Sequence, residues 1–189
     1  MNRIPQCALP KLPLVLLAIT MTVLPLIASA ALPGYMTATG ETQGEIKGSV
    51  TQAGREGSMK VEEFSHSVSQ SIDSASGLPS GKRQHRPIRI TKEIDKASPL
   101  LMTALTTNEK LTEVRIDFWR PSSSGVEDQY YTVELVNARV TNISQHQGST
   151  GEFVPVEPTE TVSLVYDKII WTWQDGSITS EDDWIAPQQ

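Results

Sequence analysis

Beyond residue 30, one stretch alone offers a clear place to start a helix. In Gly81–Leu105, GKRQHRPIRITKEIDKASPLLMTAL, Ser98 and Pro99 lead into an apolar segment, Leu100 to Leu105. A serine hydroxyl caps an orphan backbone N–H, and proline at the first helical position gives up a donor with no intrahelical partner. The spacing predicts a short helix that closes near Thr107 and Asn108. Upstream, a basic loop (Lys82, Arg83, Arg86) runs into a β segment, Pro87 to Lys92, and then a charged turn, Glu93 to Lys96. A chain with one helix between extended segments must build its core mainly from sheet.

Period-two alternation marks those segments. Tyr35 to Thr39 reads as a strand closed by Gly40, and Gln43 to Thr51 as an irregular strand interrupted by glycines. Met59 to Phe64 reads as a kinked strand. Phe64, His66, Val68, Gln70 and Ile72 alternate with serines, the pattern of a half-buried strand. Asp73 to Gln84 reads as a small-residue loop. Leu111, Val114, Ile116 and Phe118 mark the next strand, with Glu113, Arg115 and Asp117 outward. A long strand follows from Tyr130 to Ile143, apolar on both faces in part: Tyr131, Val133 and Leu135 on one, Val136, Ala138 and Val140 on the other. Thr161 to Trp173 reads as one further long strand, before a turn at Asp175-Gly176 and an acidic tail, Ser180 to Trp184. Seven to nine strands with Gly- and Pro-bearing loops fit a β-sandwich or a β-barrel.

The first thirty residues follow different rules. Arg3 and Lys11 precede an apolar run, Leu12 to Ile27, and then Ala28-Ser29-Ala30. Positive, apolar, small is the order of a secretory signal peptide. The run is short for a membrane span and is interrupted by Pro13 and Pro25. The expected organisation is therefore a signal-like segment, 1–30, and one domain, 31–189. The only cysteine, Cys7, falls in the first part, so the domain has no disulfide or thiolate chemistry. The segment takes two of the 16 basic residues and none of the 22 acidic ones, which leaves a formal charge of −8. An acidic surface argues against nucleic acid or an anionic membrane as the main partner.

Candidate chemistry is sparse. His66, His85 and His146 lie in no motif with metal-ligand spacing. On its strand, His66 reads as a hydrogen-bonded core or edge histidine. His85, between basic neighbours, is placed to meet a carboxylate from another segment. Gly81-Lys82-Arg83 lacks the pattern of a phosphate loop. The acidic tail lacks the alternation and glycine of a calcium loop. Trp171 and Trp173 share a strand face, which reads as core or subunit contact. Asn142-Ile143-Ser144 matches a glycosylation acceptor on three residues only. No catalytic residue, metal ligand or cofactor is expected.

Several motifs, in order, resemble the haemolysin-coregulated protein (Hcp) family of type VI secretion systems. They are Tyr35-Met36-Thr37 with Gly40 to Gly44; Gly81 to Pro87 with Ile90-Thr91-Lys92 and Asp95 to Leu100; Asp117 to Pro121 with Gln129 to Thr132; and Tyr166 to Trp173 with Ser180 to Trp184. The resemblance spans Leu32 to Trp184. It implies a mainly β fold, a compact antiparallel barrel with one short helix packed on its side. It also implies a secreted, ring-forming subunit: hexamers that stack into the inner tube of an injection machine, meeting sheath, spike and effectors, with no catalytic site. The polar loop from Gln52 to Ser58, with Gly54, Arg55, Glu56 and Gly57 at its tip, is then the expected ring-to-ring contact through its exposure. The signal-like segment departs from the family, whose tube subunits carry no cleavable export signal. If it works, the protein is periplasmic or extracellular; if it does not, because the true start lies downstream of it or the segment is uncleaved and incidental, the protein is cytoplasmic until fired. Two other classes fit the residues: a periplasmic or extracellular β-barrel module that binds a small ligand, and a hydrolase whose cleft would join His66 or His85 to a carboxylate and a hydroxyl.

Overall fold

Alternation builds the walls of the fold. The computed structural model describes residues 32–122, 125–148 and 157–184; the signal-like segment lies outside the described residues. These hold eleven strands and one helix: β1 (Gly34–Gly40), β2 (Gly44–Ile46), β3 (Met59–Ser65), β4 (Val68–Ile72), β5 (Pro79–His85), β6 (Ile88–Glu93), α1 (Ser98–Thr106), β7 (Leu111–Pro121), β8 (Glu127–His146), β9 (Thr159–Val165), β10 (Lys168–Trp173) and β11 (Ile178–Asp183). Every pairing is antiparallel. Strands β8, β7, β1, β3, β6 and β9 follow one another, and β9 returns to β8. Closure leaves these six without a free edge, so of sandwich and barrel the fold is a barrel. Inward Met36, Ile88, Ile90, Ile116, Leu135 and Leu164 fill it, none more than 1% exposed.

Strand β8 serves two neighbours. Tyr131 to Val136 pairs with β10, and Arg139 to His146 with β9. Between them Asn137 sits at φ 52°, a left-handed conformation that asparagine tolerates better than most residues. The turn there changes which parity faces the core. Val133, Leu135, Ala138 and Val140 are all buried in one core, so the two apolar faces expected of this strand are one face with a shifted phase. The same switch breaks the single run expected from 161 to 173. Strand β9 leaves at Val165, and β10 begins at Lys168 after the Asp167 N–H bonds the Val136 carbonyl at 3.1 Å.

The helix starts where its sequence says, but Ser98 is not its cap. The N-cap is Ala97, without a side-chain bond. The reciprocal pair of a capping box sits around the preceding turn: the Asp95 carboxylate accepts from the Ala97 N–H, and the Ser98 hydroxyl accepts from the Asp95 N–H, both at 3.0 Å. Buried Ser98 turns inward because its hydroxyl donates to Glu160 Oε1 at 2.8 Å. The far end is as expected. Asn108 at φ 53° follows Thr107, and the N–H groups of Asn108 and Glu109 bond the carbonyls of Leu105 and Ala104, a Schellman closure.

Glu109 then ties this end of the helix to the barrel. Its carboxylate accepts the N–H groups of Thr42 and Gln43 at 2.8 Å each and the Gln43 amide at 2.7 Å. The backbone N–H of Gln43 above all holds it below the usual glutamate value of 4.5. A depressed carboxylate stabilises the fold above that value and loses its contribution as pH falls through the lowered one. Glu109→Gln should therefore lower stability at pH 7, where the charged carboxylate contributes in full, and flatten the acid limb of a stability–pH curve below about pH 4.5. Equal acid sensitivity of both proteins in urea titrations would contradict this.

Candidate functional site

Two segments leave the barrel, and both are shaped by side chains that local sequence could not pair. The first is the loop from Lys47 to Ser58. Its limbs are stapled by backbone bonds: Gly48 N–H to the Gly57 carbonyl at 2.7 Å, Gly57 N–H to Val50 at 2.8 Å, Val50 N–H to Ser58 at 3.1 Å. Of its tip, Gly54 and Glu56 are exposed and Gly57 is half-buried. Arg55, expected to be exposed with them, is 8% exposed. Its guanidinium lies over the Trp119 ring at 3.9 Å and the Tyr35 ring at 4.6 Å, and donates to Glu127 Oε2 at 2.8 Å. Such cation–π contacts gain strength when desolvated. Gln52 joins the clamp, accepting from the Tyr35 hydroxyl at 3.0 Å and donating to Glu127 at 3.1 Å. The Arg55 bond holds the Glu127 carboxyl below its ordinary range. Arg55 thus anchors the loop, and Glu56 is the charge it presents.

The second is a two-stranded ribbon, β4 paired only with β5. The half-buried strand expected from Phe64 to Ile72 is interrupted after Ser65. All of β4 is exposed, Val68 at 40% and Ile72 at 67%, and Leu78 in the turn at 65%. Residues 79–85, expected within a loop, form β5. Gly81 at φ 77° and a register shift between Gln70 and Ile72 hide its period. Alternation alone misleads here because, among the described residues, nothing covers β4 on either face. A lone two-stranded hairpin is marginal in water, so its base matters.

That base is a hydrogen-bonded cluster. His66 Nε2 and His85 Nδ1 meet the Tyr166 hydroxyl at 2.7 and 2.9 Å, and His85 Nε2 meets Asp182 Oδ2 at 2.9 Å. Arg83 also pairs with Asp182. Trp184 stacks on His85 with ring centroids 5.4 Å apart. Both histidine expectations hold: His66 is a half-buried, hydrogen-bonded edge histidine, and His85 meets a distant carboxylate. The group has the components of the hydrolase reading but not its chemistry. Tyr166 is 4% and His85 6% exposed. Burial, and then the Asp182 charge, push the tyrosine hydroxyl far above its ordinary value. At 4% exposure this hydroxyl is closed to a substrate, so the cluster lacks the accessible nucleophile that a hydrolase needs.

The acidic tail is strand β11, and Asp182 is spent on this cluster. Among the described residues no group of three or more His, Cys, Asp or Glu is placed to hold a metal ion. The hollows are surface features lined by polar side chains, such as one of about 310 Å³ around Thr42, Thr103 and Arg139. Trp171 packs on the core, while Trp173 is 37% exposed under Arg120, whose guanidinium is 5.3 Å from its ring.

Comparison with known proteins places this geometry. A family model described as "Type VI secretion system effector, Hcp" matches residues 35–173. The "Major exported protein" of Pseudomonas aeruginosa is 38% identical over 168 residues, covering 83% of this chain and 98% of that protein. Among solved structures, the Hcp1 protein of the E. coli EAEC 042 pathovar is 33% identical with a TM-score of 0.74, over 82% of this chain and 99% of that one. The secreted protein Hcp3 from Pseudomonas aeruginosa is also 33% identical, with a TM-score of 0.65 over 82% of this chain and all of that one.

Proposed function

The chain belongs to the Hcp family of type VI secretion proteins, and on that premise we propose that it is a secreted tube subunit that forms hexameric rings and stacks them. One observation carries this reading: the likeness runs through the whole barrel and spans 98 to 99% of the length of two relatives. Two exposed devices give the barrel something to stack with. The clamped loop offers Gly54, Glu56 and Gly57 over the buried anchor Arg55, with Glu56 as its exposed charge, and the ribbon offers Val68, Ile72 and Leu78. The ligand-binding alternative finds less support, because the barrel interior is filled by side chains.

In this reading residues 1–30 are a signal segment and 31–189 the tube domain, delivered to the periplasm or beyond. Sheath, spike and effectors are its partners by family. Protein sequencing from the native cell should find a mature start at Ala31, and an intact Met1 would remove the export step. Light scattering of the purified domain should give six times the protomer mass; a monomer at micromolar concentration would overturn the ring. Glu56→Lys should leave that mass unchanged and cut sedimentable tubes at least severalfold. Undiminished tubes would take the loop out of the stacking contact.

A further inference from the structure

The ribbon is held at its base by one shared hydroxyl between two histidines. His66 lies just before β4, and His85 is the last residue of β5. At neutrality one arrangement of hydrogens satisfies every contact. Asp182 accepts from His85 Nε2–H, so His85 Nδ1 is an acceptor and the Tyr166 hydroxyl donates to it. The tyrosine oxygen then accepts from His66 Nε2–H. One added proton can be housed without loss. With His85 doubly protonated, its Nδ1–H donates to the tyrosine oxygen, the hydroxyl swings round to donate to His66 Nε2, and His66 moves its own hydrogen to Nδ1. Asp182 still accepts from His85 and balances its charge. A second proton has no such place. The tyrosine oxygen would face two N–H donors, its hydroxyl hydrogen would lose both acceptors, and two cations would stand 6.3 Å apart between ring centroids.

We infer that the His66–Tyr166–His85 cluster is a proton-operated latch, which holds the β4–β5 ribbon against the barrel with no or one added proton and releases its base on the second. The charged surroundings act in the same sense. Asp182 is bonded to the cluster, and it already answers Arg83 as well as His85. On the other side His66 shares a hollow of about 210 Å³ with Arg86 and Arg89, the charged groups among the described residues that line it. Burial, and then His85, hold His66 below the ordinary histidine value of 6.5. A lowered histidine value means that the latched form prefers neutral His66. The latch is at full strength above about pH 6.5 and weakens as pH falls below it. A ribbon role in stacking rests on the tube reading, but the latch is read in the ribbon's own atoms and stands or falls without it.

The test uses the full domain with labelled histidines between pH 8 and pH 5. Ring-nitrogen spectra should show both latch histidines as the Nε2–H form at pH 8, and His66 passing to the Nδ1–H form as the first proton binds. Amide exchange of residues 68–85, corrected for its intrinsic pH dependence, should then rise, by at most about tenfold per pH unit for release tied to one proton. His66→Gln keeps an N–H for Tyr166 but cannot titrate, and should abolish the rise. Tyr166→Phe should loosen the ribbon throughout the range. Independent titration of the two histidines with no tautomer change, or the same acid loosening in His66→Gln as in wild type, overturns the latch.

Discussion

Lys92→Ala should destabilise the barrel by about 3–5 kcal/mol, read as a lower urea midpoint at pH 7. Strand parity drives this. Lys92 shares the inward phase of Ile88 and Ile90 on β6, and it is 1% exposed. Its ammonium lies 3.0 Å from Glu160 Oε1, 2.8 Å from Asp95 Oδ1 and 2.7 Å from the Glu93 carbonyl, with the Ser98 hydroxyl at 3.3 Å. Glu160, also 1% exposed, takes Gln145 Nε2 on its other oxygen at 3.0 Å. Removing the lysine leaves that carboxylate buried without its cation, which costs more than the pair itself contributes. Lys92→Met with Glu160→Gln should therefore recover most of what Lys92→Met alone loses. A loss below about 1 kcal/mol for Lys92→Ala, the scale of an exposed pair, would show that the network does not hold the helix turn to the sheet.

Gly48→Ala should be the most damaging small change in the clamped loop, by about 2 kcal/mol or more. A Cβ there would sit 2.2 Å from the Ser58 carbonyl oxygen, 2.6 Å from its carbon and 2.7 Å from Met59 Cγ. The carbonyl cannot step aside, because it accepts the Val50 N–H that closes the loop. Met59 is a fully buried core residue. The substitution must open the loop or shift β3, and in either case Arg55 loses its seat over Trp119. Gly54→Ala is the control: its Cβ meets nothing, though its φ of 80° carries strain of about 1–2 kcal/mol. Equal thermal stability of the two variants would contradict the close approach.

Much of the barrel was legible because its signals are short-range. Strands β1, β3, β7 and the first half of β8 follow from alternation, and Asn108 marks the helix end. The Ser98 cap failed for a long-range reason. Its hydroxyl had a better partner in Glu160, 62 positions away. The ribbon failed because alternation reports that a strand could be covered, not that anything covers it. In the candidate site, the polarity of the Lys47–Ser58 loop was legible, but the burial of Arg55 was not. It depends on Trp119 and Glu127, which only the pairing of β7 with β8 sets side by side.

What the sequence determined by itself is the alphabet of residues 32–184: mostly strands, one helix with its end, no cysteine, and a family likeness from Leu32 to Trp184. Those are properties of neighbours along the chain, set by side-chain period and backbone preference. The tertiary structure alone decided that β9 closes onto β8, that Lys92 points at Glu160, and that His66, His85, Tyr166 and Asp182 share one cluster. Those partners lie up to about 100 positions apart. No local propensity selects among such pairings. They are chosen together, when the barrel closes and every buried polar group must find its match.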